Sequence, residues 1–209
     1  MSYKKIEKYW NSFYKKKSLV NKPTKFSYFC IGFLKGYKNI LFDSGCGNGR
    51  DTVFFNKKGI NTFGLDISSK AIINNKRKNK SLRNNFKRKN FCKFFKKKQL
   101  KKFSVYSRFT LHSINHKEEI QWIKNLKNQR NLEYLFIETR TIDDELFGIG
   151  KKVGRNEYFS DHYRRFIVPS ELKKRLKNKF KIVYFKQSRT FAKFKRFKPN
   201  VLRVIAKRK

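Results

Sequence analysis

The chain has 209 residues, enough for one domain with a sizeable core, and its 38% hydrophobic and 17% aromatic content excludes a disordered chain despite 33% charged residues. Its 55 Lys+Arg against 14 Asp+Glu leave a formal net charge of +41, a field that attracts nucleic acid, anionic membrane surface or acidic glycans. Lys is spread along the whole chain beside an excess of Asn, Phe and Ile, as AT-rich coding would give, so charge alone assigns no partner.

Residues 3–17 set Ile6, Tyr9, Trp10, Phe13 and Tyr14 at helical spacing with lysines on the other face, which predicts a helix packed on the domain. Pro23 and Thr24 open a second helix to about Lys35, with Phe26, Phe29, Cys30 and Phe33 on one side and Gly36 as its stop. Ile40 to Asp51 reads as a buried strand, a glycine-rich turn and the start of a helix that Gly49 begins and Gly59 ends. A second strand, about 61–66, ends in Asp66, and Ser68 caps the helix that starts with Ala71 and Ile72.

From Lys76 to Lys102 the chain carries fourteen Lys or Arg in 27 residues and no acid, around a short strand near 86–91. Phe86, Phe91, Phe94 and Phe95 interleave with those charges, either as core or as a stacking surface for nucleic acid. Phe103–Phe109 reads as the fourth strand, and Asn115 with Glu118 forms a capping box before Ile120, Ile123 and Leu126. Leu132–Thr139 is the fifth strand. Residues 140–162 read as loops punctuated by Gly148, Gly150 and Gly154. Pro169 and Ser170 open the last helix, and strands at about 180–186 and 200–206 close the sheet. The whole 1–209 is expected to be one domain, with N-terminal helices in 1–36 and an insertion at 140–165.

Three cysteines without CxxC spacing argue against a disulfide scaffold and a zinc site, so no metal is expected. No apolar run reaches the ~18 residues of a membrane-spanning helix, and the N-terminus lacks a signal-peptide apolar region, which predicts a cytoplasmic protein.

The sparse acids are informative. Between Lys8 and Lys117 the only ones are Asp43, Asp51 and Asp66, all at or beside the glycine turn. A second group, Glu138, Asp143, Asp144, Glu145, Glu157 and Asp161, places six of the fourteen acids in 24 residues. In an open α/β sheet, ligands bind beyond the carboxyl ends of the strands, and glycines let the backbone approach them without a Cβ in the way. The spacing Gly45-x-Gly47-x-Gly49 differs from the G-x-G-x-x-G of dinucleotide sites, so a nucleoside-bearing cofactor other than a dinucleotide is expected.

The run Asp43-Ser44-Gly45-Cys46-Gly47-Asn48-Gly49-Arg50-Asp51 resembles motif I of the class I S-adenosylmethionine-dependent methyltransferases, and its Gly-Arg-Asp ending is similar to that of tellurite-resistance and thiopurine-type members. The resemblance implies a Rossmann-like α/β sandwich with a mostly parallel seven-stranded sheet and an antiparallel last strand, and S-adenosylmethionine as cofactor. Carried over by position, Asp43 and the backbone of Gly45, Cys46, Gly47, Asn48 and Gly49 would border the methionine part, with Arg50 reaching its carboxylate. Asp66 and Ile67 would hold ribose and adenine. Asn90 and Phe91 stand where the family has an acid and an apolar residue against adenine, and Arg108 belongs to the same cofactor set. N-terminal helices of the family often lid this site, which makes Trp10 and Tyr14 secondary candidates.

After the fourth strand, Ser107 to His112 lacks the Asn/Asp-Pro-Pro-aromatic and Pro-Cys signatures of base methylation. The catalytic candidates near the strand ends are His112, Glu138, Asp143 and His162, as general bases for a hydroxyl or amine acceptor. Arg140, Asp144, Tyr163, Arg164 and Arg165 are the candidate acceptor-binding set, since arginines clamp phosphate or carboxylate. The wider pattern from Tyr106 through Phe166 resembles methyltransferases found with surface-polysaccharide genes. It implies methyl transfer to a small-molecule or glycan-linked, anionic hydroxyl acceptor. RNA bound by the basic 76–102 segment is the alternative acceptor, and a non-catalytic nucleic-acid-binding relic of the fold is the third reading.

Overall fold

The structure, a computed structural model, describes residues 3–16, 20–96, 100–193 and 197–209. Lys17, at the end of the first predicted helix, and residues 97–99 of the basic run lie outside the described residues.

Two helices, α1 (Tyr3–Lys16) and α2 (Lys25–Ile31), precede a chain that alternates β1 (Ile40–Ser44), α3 (Arg50–Lys57), β2 (Thr62–Asp66), α4 (Ser69–Lys78), β3 (Phe86–Arg88), α5 (Phe91–Phe94), β4 (Phe103–Arg108), α6 (His116–Lys127) and β5 (Leu132–Arg140). After the 141–168 segment come α7 (Pro169–Lys177), β9 (Phe180–Ser188) and β10 (Val201–Arg208). The seven strands order as β3-β2-β1-β4-β5-β10-β9, parallel except for β10, which runs antiparallel to both of its neighbours. The chain is thus a Rossmann-like sheet with an antiparallel last strand, as the sequence implies.

Both faces of the sheet are covered, and strand alternation sorts the side chains between them. Phe42, Val105, Leu135, Ile137, Val204 and Ala206 pack on one side in a cluster that takes in Trp122 of α6 and Leu172 of α7. Leu41, Tyr106, Phe136 and Ile205 point to the other, against Phe26 and Cys30 of α2 and Phe54 and Phe55 of α3. Burying one such Phe contributes about 1.5–3 kcal/mol. Phe86, Phe91 and Phe95 are buried and Phe94 packs partly buried against the same core, so the phenylalanines of the basic run belong to the core rather than to a stacking surface.

Local signals set the helix ends. Thr24 and Ser68 accept hydrogen bonds from Ser27 N and Ala71 N, and Asn115 and Glu118 close a full capping box. Gly59, at φ 79°, terminates α3. Two expectations change. Helix α2 stops at Ile31, because Phe33 N and Leu34 N turn back to Cys30 O and Ile31 O; the chain reaches Gly36 (φ 72°) through tight turns. The third strand ends at Arg88, and Asn90 then caps one turn of helix by accepting from Cys92 N.

The 140–165 segment is more ordered than its glycines predict. It forms a three-stranded antiparallel sheet, β6 (Lys151–Gly154), β7 (Glu157–Phe159) and β8 (Tyr163–Arg165), with a two-residue turn in which Asn156 stands at φ 58°. Among the described helices, none is long and apolar enough to cross a membrane.

Candidate active site

The turn after β1 is fixed from three sides. Gly45 N and Cys46 N both donate to Leu65 O at 2.7 and 3.0 Å, which ties the turn to β2. Gly47 N donates to Asp66 Oδ2 at 2.9 Å, and Asn75 of α4 donates its amide to Gly47 O at 2.8 Å. Gly45, Gly47 and Gly49 stand at φ 74°, 55° and 74°, a region costly for side chains with a Cβ. A Cβ at Gly45 would also overlap the Thr110 methyl group, and one at Gly47 would lie 2.5 Å from the Tyr14 hydroxyl.

The acids of this region divide. Asp43 accepts from the Thr52 hydroxyl at 2.7 Å, and burial followed by the nearby Asp51 charge pushes its carboxyl up to about 8. Asp66 accepts from Gly47 N and Ser68 N; burial raises its pKa against those two bonds. Asp51 accepts from Thr24 N, the Thr24 hydroxyl and the Tyr106 hydroxyl at 2.8, 2.9 and 2.7 Å, so it locks α2 to α3.

These groups form one wall of a cavity of about 800 Å³ at the carboxyl ends of the strands. Of the predicted cofactor set, Asp43, Gly45, Cys46, Gly47, Asn48, Arg50, Asp66, Ile67, Asn90, Phe91 and Arg108 line it, whereas Gly49 lies behind them as the N-cap of α3. The lid comes from Ile6, Trp10, Phe13 and Tyr14 of α1. Burial, and then Asp66, raises the pKa of the Tyr14 hydroxyl well above its usual value. Helix α1 is held down by Asn11, whose side-chain oxygen accepts from the hydroxyls of Ser68 and Ser69 and from Lys70 N.

The rest of the wall is built by the end of β4, the end of β5 and the β9–β10 connection. His112 and Arg140 line it together with Glu138. The His112 ring is buried, and its Nδ1 has no hydrogen-bond partner among the described residues. Burial, then Arg140, His162, Arg164 and Arg108 in that order, hold its pKa well below the usual histidine value. Both oxygens of Glu138 are engaged: one accepts from Arg108 Nε at 2.9 Å and the other from Arg203 Nε at 2.7 Å.

The remaining predicted residues stand outside the cavity wall, for identifiable reasons. Asp143 is exposed and accepts from Gln187. Asp144 is buried and holds Arg140 Nη1 through both oxygens at 2.7 and 2.8 Å. His162 pairs with Asp161 at 2.9 Å and stacks on Tyr9 of α1, with 5.1 Å between ring centroids. Tyr163 donates to Ile114 O, Arg164 is engaged by Ser160 and Asp161, and Arg165 is buried against Glu119 and Ile114 O. Residues 143–165 therefore support the cavity wall rather than line it.

Sequence reasoning passed over Asn75 and Phe109. Asn75 lies with Ala71 and Ile72 on the buried side of α4, and an amide on an apolar stripe is itself a signal. Phe109 is a non-glycine residue at φ 54° directly after β4, with the Arg108 and Arg140 guanidinium carbons 4.3 and 5.7 Å from its ring centroid. Phe191, Phe197 and Pro199 also reach the cavity from the β9–β10 connection, which no motif marks.

At the level of sequence, no family model and no curated protein matches the chain. Solved structures do resemble it. A SAM-dependent methyltransferase from Anabaena variabilis is 16% identical, with 100% of this chain and 96% of that one covered at a TM-score of 0.72. Magnesium protoporphyrin IX methyltransferase from Synechocystis PCC 6803, crystallised with bound SAH, is 16% identical, with 99% of each chain covered at a TM-score of 0.71. The glycopeptide N-methyltransferase MtfA, complexed with S-adenosyl-L-methionine, is 11% identical over 90% of this chain and 95% of that one, at a TM-score of 0.62. The strand order, the antiparallel last strand and these likenesses agree: the chain has the class I methyltransferase fold.

Proposed function

We propose that this chain is an S-adenosylmethionine-dependent methyltransferase acting on a hydroxyl of a small-molecule or glycan-linked acceptor. The observation that carries this reading is the meeting of two buried acids, Asp43 and Asp66, with the left-handed Gly45 and Gly47 on one wall of the cavity. That donor and acceptor set fits the cofactor. Two bonds leave the Asp66 carboxylate with lone pairs for ribose hydroxyls. Asn90 keeps its amide N–H groups, beside Phe91, for the adenine side. Arg50 and Arg108 serve the methionine carboxylate. When bound, the cofactor supplies a methyl group carried on a positively charged sulfur.

The chain's own contribution is position and a proton acceptor. Helix α1 covers one side of the cavity with Ile6, Trp10, Phe13 and Tyr14. Neutral His112 takes the proton that the acceptor hydroxyl loses as its oxygen gains the methyl group. Residues 140–165 act as an insertion on the acceptor side of a single domain, holding Arg140 and the α1 lid in place. The names of the similar structures include enzymes for a porphyrin and a glycopeptide, which supports a small-molecule acceptor over RNA. The sugar preference rests on the sequence resemblance.

Calorimetric titration with S-adenosylmethionine is the direct test; absence of binding at millimolar concentrations sinks the reading. Incubation with methyl-labelled cofactor and fractionated cell extract then identifies the class of labelled product.

A further inference from the structure

The cofactor carries one carboxylate, and the cavity offers more guanidinium than that group needs. Arg50 and Arg108 stand together on the Asp43 side, close enough that Arg108 opposes the charge of Arg50 and stabilises the ionised form of Asp43. Arg140 shares the ring of Phe109 with Arg108, at 5.7 Å against 4.3 Å from its centroid, and its charge bears on His112. Asp144 holds Arg140 by Nη1 alone, and its other bonds, from Leu146 N and Asn200 N, fasten that carboxylate to the backbone. Among the described residues, no hydrogen bond engages Arg140 Nε or Nη2. A guanidinium fixed at one nitrogen, with a planar two-donor edge left over in a cavity wall, matches the geometry of an oxyanion.

We propose that the methyl acceptor is a small organic anion, a hydroxy acid whose carboxylate or phosphate sits on the Nε–Nη2 edge of Arg140 and whose hydroxyl faces His112. This rests on the reading of the cavity as a methyl-transfer site. The aromatic side chains Trp10, Phe13, Phe191 and Phe197 around the same space suit an acceptor with an apolar body.

The anion has a second consequence. The charged and titratable groups that bear on His112 are Arg108 from β4, Arg140 from β5, and His162 and Arg164 from β8 and the turn before it; all four disfavour a proton on the ring. Glu138 and Asp144 are already engaged by arginines. An acceptor anion on Arg140 supplies the missing negative charge and lets His112 hold the proton released by the acceptor hydroxyl. The base is competent only when the acid is bound, which selects acidic acceptors twice.

The test measures binding with 4-hydroxybenzoate, 4-hydroxyphenyl phosphate and the neutral 4-hydroxybenzamide, at about 0.15 M salt to screen surface lysines. At least one acid is expected to bind tenfold or more tightly than the amide, and the acid that does so separates carboxylate from phosphate. Arg140→Gln should abolish that preference while leaving S-adenosylmethionine affinity within twofold. NMR of the His112 ring should show its pKa rising by a unit or more with the acid and staying put with the amide. Equal binding of acids and amide, no binding of any probe, or an acid preference that survives in Arg140→Gln overturns the proposal. Should Arg140→Gln fail to fold, Arg140→Lys keeps a charge against Asp144 but loses the planar edge, and should weaken the preference at least threefold. Acid preference without cofactor binding would sink the methyltransferase reading and leave the anion site standing.

Discussion

The carboxylate of Asp66 accepts the backbone N–H of Gly47 at 2.9 Å, so the acid that ends β2 is fastened to the middle glycine of the turn that follows β1. Two stretches nineteen residues apart in sequence thus form one wall, and several outcomes depend on that link.

Asp66→Ala removes the acceptor of Gly47 N and Ser68 N together with the proposed ribose contact. Affinity for S-adenosylmethionine should fall by about 1–3 kcal/mol, with a loss of thermal stability as buried amides lose partners. Calorimetry and thermal unfolding read the two effects separately. Unchanged affinity would refute the assigned role.

Gly47→Ala combines a left-handed backbone, costing about 1–2 kcal/mol, with a Cβ 2.5 Å from the Tyr14 hydroxyl. Adding Tyr14→Phe removes the second effect and leaves the first. Thermal unfolding should show the double variant more stable than Gly47→Ala and less stable than Tyr14→Phe alone. A double variant no better than Gly47→Ala would show that α1 does not press on the turn.

Glu138→Gln leaves Arg108 and Arg203 with no carboxylate between them. Breaking a buried pair in this way costs about 3–5 kcal/mol, visible by denaturant unfolding. A residue acting as a general base would instead lose turnover with its stability intact.

Asp43 holds its proton up to about 8 in the folded chain, against roughly 3.9 when unfolded. The folded state therefore binds the extra proton between these limits, and this group's contribution to stability falls as pH rises from about 4 to about 8. A cationic ligand favours the ionised carboxylate, so S-adenosylmethionine should bind more tightly at pH 8 than at pH 6, releasing a proton. Calorimetry in buffers of different ionisation enthalpy measures that proton; Asp43→Asn should abolish its release. Equal proton release by wild type and Asp43→Asn would assign the proton elsewhere.

Asn75→Ala strips the Gly47 carbonyl of its buried donor, at a cost of about 1–3 kcal/mol. Its effect should appear as lost thermal stability and weaker cofactor binding together. A variant with wild-type stability would mean that the turn does not need the clamp.

The elements that the sequence announced most clearly are those whose causes are local. Thr24, Ser68 and the Asn115–Glu118 box cap helices because a side chain two or three residues from the free N–H can reach it. Gly45, Gly47 and Gly49 mark a turn because few other residues tolerate φ near 55–75°. The β6–β8 sheet was hidden because each strand is only three or four residues long, too short for an alternating apolar pattern to show. Cavity residues from the β9–β10 connection were equally hidden, since a loop's path over a site depends on what it packs against.

By itself the sequence determined the alternation of strands and helices, the two acids flanking the glycine turn, and the wealth of arginine and acid after the fifth strand. Tertiary structure decided how those charges are shared out. Glu138 is taken by Arg108 and Arg203, Arg165 by Glu119, Arg164 by Asp161, and Arg140 by Asp144 through one nitrogen. Strand periodicity states which face a side chain leaves from. For Glu138 and Arg165, the opposite charge comes from segments 30 to 65 residues away that only packing brings together.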